Sequence, residues 1–166
     1  MKDKPQYEHQ NFESDAFSET TIANGNYENC TFTNYILEGA DLSNAFFIDY
    51  VFKSCDLSNA RLNNTAFRNV TFVECRSLGL SFENINEFLL KLCFENCKLN
   101  LCSFYDKKST GIQFKDCDFS EVDISHADIS KAGLSNCSLL NTIIDQTNLL
   151  GADLRDAFKL QHRSRK

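Results

Sequence analysis

The chain has no tryptophan, one proline, one methionine and only six glycines. So little proline and glycine excludes collagen-like and proline-rich architectures. No apolar run approaches the ~20 residues that a membrane-spanning helix needs. The opening Met1-Lys2-Asp3-Lys4-Pro5 runs into polar sequence and reads as no secretory leader, so a cytoplasmic protein is expected. Lysine and arginine are missing altogether between Pro5 and Phe52. There is no G-x-G-x-x-G, no Walker loop and no H-E-x-x-H, so the chain shows no signature of a nucleotide cofactor or a catalytic zinc.

What is present is a repeat. Every fifth residue from Phe12 is large and apolar: Phe12, Phe17, Ile22, Tyr27, Phe32, Leu37, Leu42, Phe47, Phe52, Leu57, Leu62, Phe67 and Phe72, then Ser77 and Phe82. The phase then slips by two residues within 83–88 and resumes at Leu89, Phe94, Leu99 and Phe104, running with one further exception, Ser109, to Leu154. Two residues before each of these centres the side chain is usually small: Ala40, Ala45, Cys55, Ala60, then Cys97, Cys117, Ala127, Ala132 and Ala152. A period of five fits neither the helix period of 3.6 nor the strand period of 2. It requires a backbone that turns a corner every five residues and fills a narrow axial core with one large and one small side chain per side. Stacked coils then bury what one coil cannot.

Within that grid, Ala40-Asp41-Leu42-Ser43-Asn44, Cys55-Asp56-Leu57-Ser58-Asn59, Ala127-Asp128-Ile129-Ser130-Lys131 and Ala152-Asp153-Leu154-Arg155-Asp156 resemble the repeating unit of the pentapeptide-repeat family. The resemblance covers residues 10–158, leaving a short basic tail, 159–166, on a single domain of 1–166. It implies an all-β fold, a right-handed quadrilateral β-helix with four pentads per coil and about seven coils, forming a rod on the order of 35 Å long. Residues twenty apart should stack, Phe12, Phe32, Phe52 and Phe72 in one aromatic ladder and Phe94, Phe114, Leu134 and Leu154 in another after the slip.

Seven of the eight cysteines, all but Cys93, fall at the small inward position. They are expected to be buried thiols acting as small hydrophobes, with no metal site and no cofactor. Ser125-His126-Ala127-Asp128 contains the residue types of a catalytic triad, but its members project from adjoining outward positions, so a non-enzyme is expected.

Charge is the informative surface property. The formal net charge is -6, which argues against nucleic acid or an anionic membrane as partner. Two acidic ends flank a mildly basic middle, Lys53 to Lys115. Asp118, Asp123 and Asp128 precede three successive centres and should face outward on three sides of one coil, with Asp116 and Glu121 beside them. Such a surface either solubilises the rod or imitates duplex phosphates, which a rod of this length would match with roughly 20 charges. Resemblance to the quinolone-resistance branch of the family, in length, acidity and near-continuous coil, implies an acidic DNA mimic that binds a type II topoisomerase such as DNA gyrase. Asp41, Asp56, Asp116, Asp118, Glu121, Asp123 and Asp128 are the candidate contacts. The alternative is a protein-interaction scaffold without mimicry, docking through apolar residues around Phe88 to Leu92 or Leu140 to Leu150. A monomer, or a weak homodimer through Leu140, Ile143 and Leu150 at the C-terminal end, is expected.

Overall fold

The computed structural model describes residues 5–14 and 26–158. The expected centres Phe17 and Ile22, the acids Asp15 and Glu19, and the basic tail 159–166 lie outside the described residues. Within them the chain is all-β, with no helix and every strand pairing parallel to the next coil. The strands are β1 (Gln6–Glu8), β2 (Asn11–Glu13), β3 (Asn26–Glu28), β4 (Thr31–Thr33), β5 (Phe46–Lys53), β6 (Ala66–Val73), β7 (Leu92–Glu95), β8 (Gln113–Lys115) and β9 (Gly133–Ser135). Pairing is in register at twenty residues, as in Phe12↔Phe32, Phe52↔Phe72 and Phe94↔Phe114. The result is a parallel β-solenoid of four pentads per coil.

Each pentad follows one local logic. The small residue and the centre point inward, and the residue between them points out and bridges to the neighbouring coil. The residue two after the centre turns the corner. Every fifth residue from Asn29 to Gly79, and again from Asn96 to Gly151, has positive φ. Asn, Asp and Gly tolerate that left-handed conformation, which explains why they crowd this position. At most corners the centre's carbonyl accepts the N–H three residues on, as Leu42 does from Ala45 at 3.1 Å. The two long strands instead bend through the corner, at Asp49 in β5 and Asn69 in β6. There the Asn69 Nδ2 donates to the Asp49 carboxylate at 2.6 Å, tying one coil's corner to the next.

The core is a set of ladders. Phe52, Phe72, Phe94 and Phe114 stack with centroids 5.1, 4.8 and 5.2 Å apart and planes within 9°. The two separate ladders expected on either side of the slip are therefore one, because Phe72 pairs directly with Phe94. The reason lies in where the extra residues go. The twenty-residue spacing still holds at Ala66↔Asn86 and becomes twenty-two at Val70↔Leu92. The insertion thus falls between Asn86 and Leu92, at the end of the expected 83–88 window and beyond it, and bulges outward as a corner loop. Leu89, expected as an inward centre, sits on that loop, 64% exposed and at φ 58°. The next residue, Leu90, is partly buried against the core instead. Glu87 anchors the loop to the next coil through Lys107 Nζ, 2.8 Å away. Lys107 occupies an inward position that other coils give to Ala or Thr, and is largely buried.

Cys55, Cys75, Cys97, Cys117 and Cys137 form a single column, one thiol per coil. They fill space as small apolar groups but also donate hydrogen bonds. Cys55 Sγ reaches the Phe32 carbonyl at 3.4 Å, and Cys75 and Cys97 repeat the contact one and two coils on. Thr65 and Thr142 use hydroxyls at equivalent positions on other sides, donating to Leu42 and Phe119 at 2.8 and 2.9 Å. Where Cys or Thr fills the small inward position it thus also donates to the preceding coil, a use that size alone does not reveal. Cys93, which faces outward on β7, is half-buried, and burial pushes its thiol pKa up.

Candidate functional site

The acids Asp41, Asp56, Asp118, Asp123 and Asp128 all occupy the outward position between the small residue and the centre. This position does structural work. In each case the carboxylate accepts the backbone N–H two residues on: Ser43, Ser58, Ser120, Ser125 and Ser130, at 2.8–3.1 Å. The Asp–x–Ser spacing is thus an Asx-type turn that starts each corner. Asp116 and Glu121 differ, being corner residues themselves with φ of 53° and 60°.

The neighbouring coils decide which acids keep their charge uncompensated. Asp41 pairs with Arg61 at 3.1 Å and Asp56 lies 3.9 Å from Arg76. Asp118 stands in backbone register with Lys98 and Asp128 with Lys108 in the coil before, with no ion pair between Asp128 and Lys108 among the described residues. Asp123 lies between Ser103 and Ile143. Among the described residues Asp116 accepts from a neutral donor, Asn136 Nδ2 at 2.7 Å. Glu121 follows Ser120 at the next corner, with Leu101 stacked beneath it. The seven candidate acids are therefore not equivalent. Four have a basic residue on the adjoining coil, whereas Asp116, Glu121 and Asp123 have none, and these three lie along one stretch of a single coil.

Electrostatics follow the same contacts. Hydrogen bonds from Ser43 first, and then the Arg61 guanidinium, hold the Asp41 carboxyl at about 2. Hydrogen bonds from Ser130 hold Asp128 below the usual carboxylate range, with smaller help from Asn148 and Lys108. Lys107 does the same for Glu87.

The triad residue types do not converge. The Ser125 N–H is bound to Asp123, Asp128 accepts from Ser130, and the His126 ring packs edge-on to Tyr105 at 5.4 Å. Among the described residues, no three His, Cys, Asp or Glu side chains gather where they could hold a metal ion. Nor is any helix among them long and apolar enough to cross a membrane.

Two surface features escaped sequence reasoning. One is a cation–π cluster on the outer side of β5 and β6, where the Arg68 guanidinium carbon lies 4.4 Å from the Phe46 ring centre and 5.0 Å from that of Phe88. The other is an open groove of about 230 Å³ on the same side, lined by Gln6, Glu8, Asn26, Glu28, Phe46 and Ile48 among others. The legible signal was the twenty-residue column Glu8, Glu28, Ile48, Arg68, which period-five bookkeeping on the core does not bring out.

No protein-family model matches the chain, and no curated protein matches it in sequence. Among solved structures, its neighbours are pentapeptide-repeat proteins. Full-length QnrB1, a plasmid-mediated fluoroquinolone resistance protein, is 18% identical, with 89% of this chain and 91% of that one covered and a TM-score of 0.38. A pentapeptide repeat protein from the Arabidopsis thaliana thylakoid lumen is 18% identical, with 86% and 70% covered and a TM-score of 0.38. HetL, a pentapeptide repeat protein involved in heterocyst differentiation regulation in the cyanobacterium Nostoc, is 11% identical, with 93% and 86% covered and a TM-score of 0.28.

Proposed function

We propose that this chain is a non-enzymatic binding protein that presents an acidic strip, Asp116, Asp118, Glu121 and Asp123, to the basic DNA-binding groove of a type II topoisomerase, and so modulates or protects it. The observation that carries the reading is the unequal neutralisation of the acids. Asp41 and Asp56 spend their charge on arginines of their own fold and Asp128 has Lys108 in register beside it, whereas Asp116, Glu121 and Asp123 keep theirs for solvent or a partner. Asp118 belongs to the strip by position and has Lys98 in register on the coil before. A filled core of stacked side chains gives the solenoid rigidity, which lowers the ordering cost of docking a charged surface.

The test is a DNA gyrase supercoiling assay, with and without a quinolone, across a titration of this protein. Inhibition, or rescue from the drug, is expected from the native chain. Reversal of Asp116, Glu121 and Asp123 to Lys should abolish it, while reversal of Asp41 and Asp56 should leave most of it. No effect of native protein at micromolar concentration sinks the topoisomerase reading.

A second reading, an interaction scaffold docking through apolar contacts, is favoured by the exposure of Phe88 and Leu89, each 64%, and of Leu150, 79%. Salt separates the two: mimicry should weaken steeply as ionic strength rises, and apolar docking should not.

A further inference from the structure

The outer surface of β1, β3, β5 and β6 is a flat parallel sheet face whose contents are ordered along the rod. One column reads Glu8, Glu28, Ile48, Arg68, each in register with the next. The column beside it reads Gln6, Asn26, Phe46, Ala66. Two carboxylates therefore stand at one end, two apolar side chains in the centre, and a guanidinium at the other. Directly beyond Arg68, the 87–91 loop lifts Phe88 and Leu89 off the surface.

This arrangement is poorly satisfied among the described residues. Like charges directly opposite on neighbouring strands repel, and Glu8 and Glu28 are so placed. Neither joins an ion pair among the described residues. Arg68 lies two strands from Glu28, on the order of 10 Å, with Ile48 between them. The rings of Phe46 and Phe88 both lie against its guanidinium, and among the described residues its buried Nε has no hydrogen-bond partner. Its Nη end joins no ion pair among the described residues, and that end is what an incoming carboxylate would meet.

We propose that this face is a self-association surface whose occupant is a second copy of the same chain, running antiparallel. The symmetry follows from the column. A two-fold axis lying in the interface and running along β5 leaves Ile48 facing Ile48 and Phe46 facing Phe46. It places Glu28, one coil to one side, against Arg68 of the other copy, one coil to the opposite side. It carries the protruding Phe88 and Leu89, two coils out, over Glu8 and the groove between Gln6, Asn26 and Phe46. Both halves of the contact form twice, as an isologous interface requires. Aromatic residues and arginine at the centre, with acids around them, are the composition of an interface core. The surface is distinct from the C-terminal end and leaves the Asp116–Asp123 strip uncovered by these contacts.

The test is sedimentation equilibrium of the full chain up to on the order of 1 mM protein, with circular dichroism confirming that each variant retains the fold. The native chain should dimerise reversibly, more weakly at high salt. Glu28→Arg and Arg68→Glu should each weaken the dimer about tenfold or more, because each places like charges together twice. An equimolar mixture of the two variants should recover association to within about threefold of native, since a heterodimer restores both opposite-charge contacts. That recovery is unavailable to a variant that is merely unfolded. Phe88→Asp should abolish the dimer, and Leu150→Asp should leave it intact. A native chain that stays monomeric throughout overturns the proposal. So does a dimer indifferent to both charge variants, a mixture that remains monomeric, or a dimer lost on changing Leu150.

Discussion

The solenoid before the corner loop and the solenoid after it solve the same packing problem with different residues. From Tyr27 to Phe82, nine aromatic side chains are buried; from Leu92 onward there are four, and beyond Phe119 none. In the first region the nominally small inward position holds Tyr35 and Tyr50 as well as Ala and Cys, and rings meet both along and across the axis. In the second, Ala127 and Ala132 sit beside Ile129 and Leu134. Backbone geometry follows the side chains. The bulky region carries the two eight-residue strands, whereas the slim region is stitched mainly by three- and four-residue strands and single bridges. The comparison shows that a period-five frame fixes where side chains point and leaves open how wide the core is. Aromatic stacking at the coil spacing supplies rigidity in one region, and aliphatic close packing supplies it in the other.

The most forceful way to break that contrast is to remove one ring. Phe72 is fully buried and stacked on both Phe52 and Phe94. Phe72→Ala should cost about 4–5 kcal/mol, against about 2–3 kcal/mol for Ile124→Ala in the aliphatic region. Urea unfolding followed by far-ultraviolet circular dichroism measures both, and equal losses would remove the distinction.

A smaller effect of opposite sign is expected at the corners. The first region fills its left-handed corners largely with Asn, as at Asn44, Asn59, Asn64 and Asn69, whereas the coil after the loop uses Leu101 at φ 62° with the side chain 61% exposed. A leucine held in that conformation costs roughly 1–2 kcal/mol. Leu101→Asn should therefore stabilise the chain by about 1 kcal/mol and Asn64→Leu should destabilise it by a similar amount. Thermal midpoints of the two variants check the pair.

The smallest effect concerns protons. Asp41 in the first region is held at about 2 by Ser43 and Arg61. Its folded value is below the unfolded one, roughly 3.9, so its contribution is fully present above pH ~4 and is lost as pH falls toward 2. Asp123 in the second region has no such cation beside it. Arg61→Ala should move the Asp41 titration upward only partway, because Ser43 is the larger cause. Carboxyl chemical shifts followed through an acid titration decide this.

Much of the fold was legible because period five is incompatible with any regular element, and the centres and small positions could be read directly. The register of the Phe12 to Phe72 ladder was legible for the same reason. The fate of Leu89 was not. Counting assigns it to the core, but the extra residues are accommodated where bulging outward is cheapest, and Glu87 finds Lys107 there. The same grid placed Asp118, Asp123 and Asp128 on the surface. It did not show that their carboxylates cap their own turns, nor that residues twenty positions back neutralise some of them. The Asn and Gly at more than half of the described corners were a visible signal that the core pattern overshadowed.

The sequence by itself determined the inward and outward sense of nearly every residue, because side-chain direction is set locally by the five-residue turn. Tertiary structure alone decided which charges are compensated, how the slip is absorbed, and that Glu28 and Arg68 share a face without touching. Those outcomes depend on contacts between coils twenty or twenty-two residues apart, and a charge is worth little or much according to what the neighbouring coil places beside it.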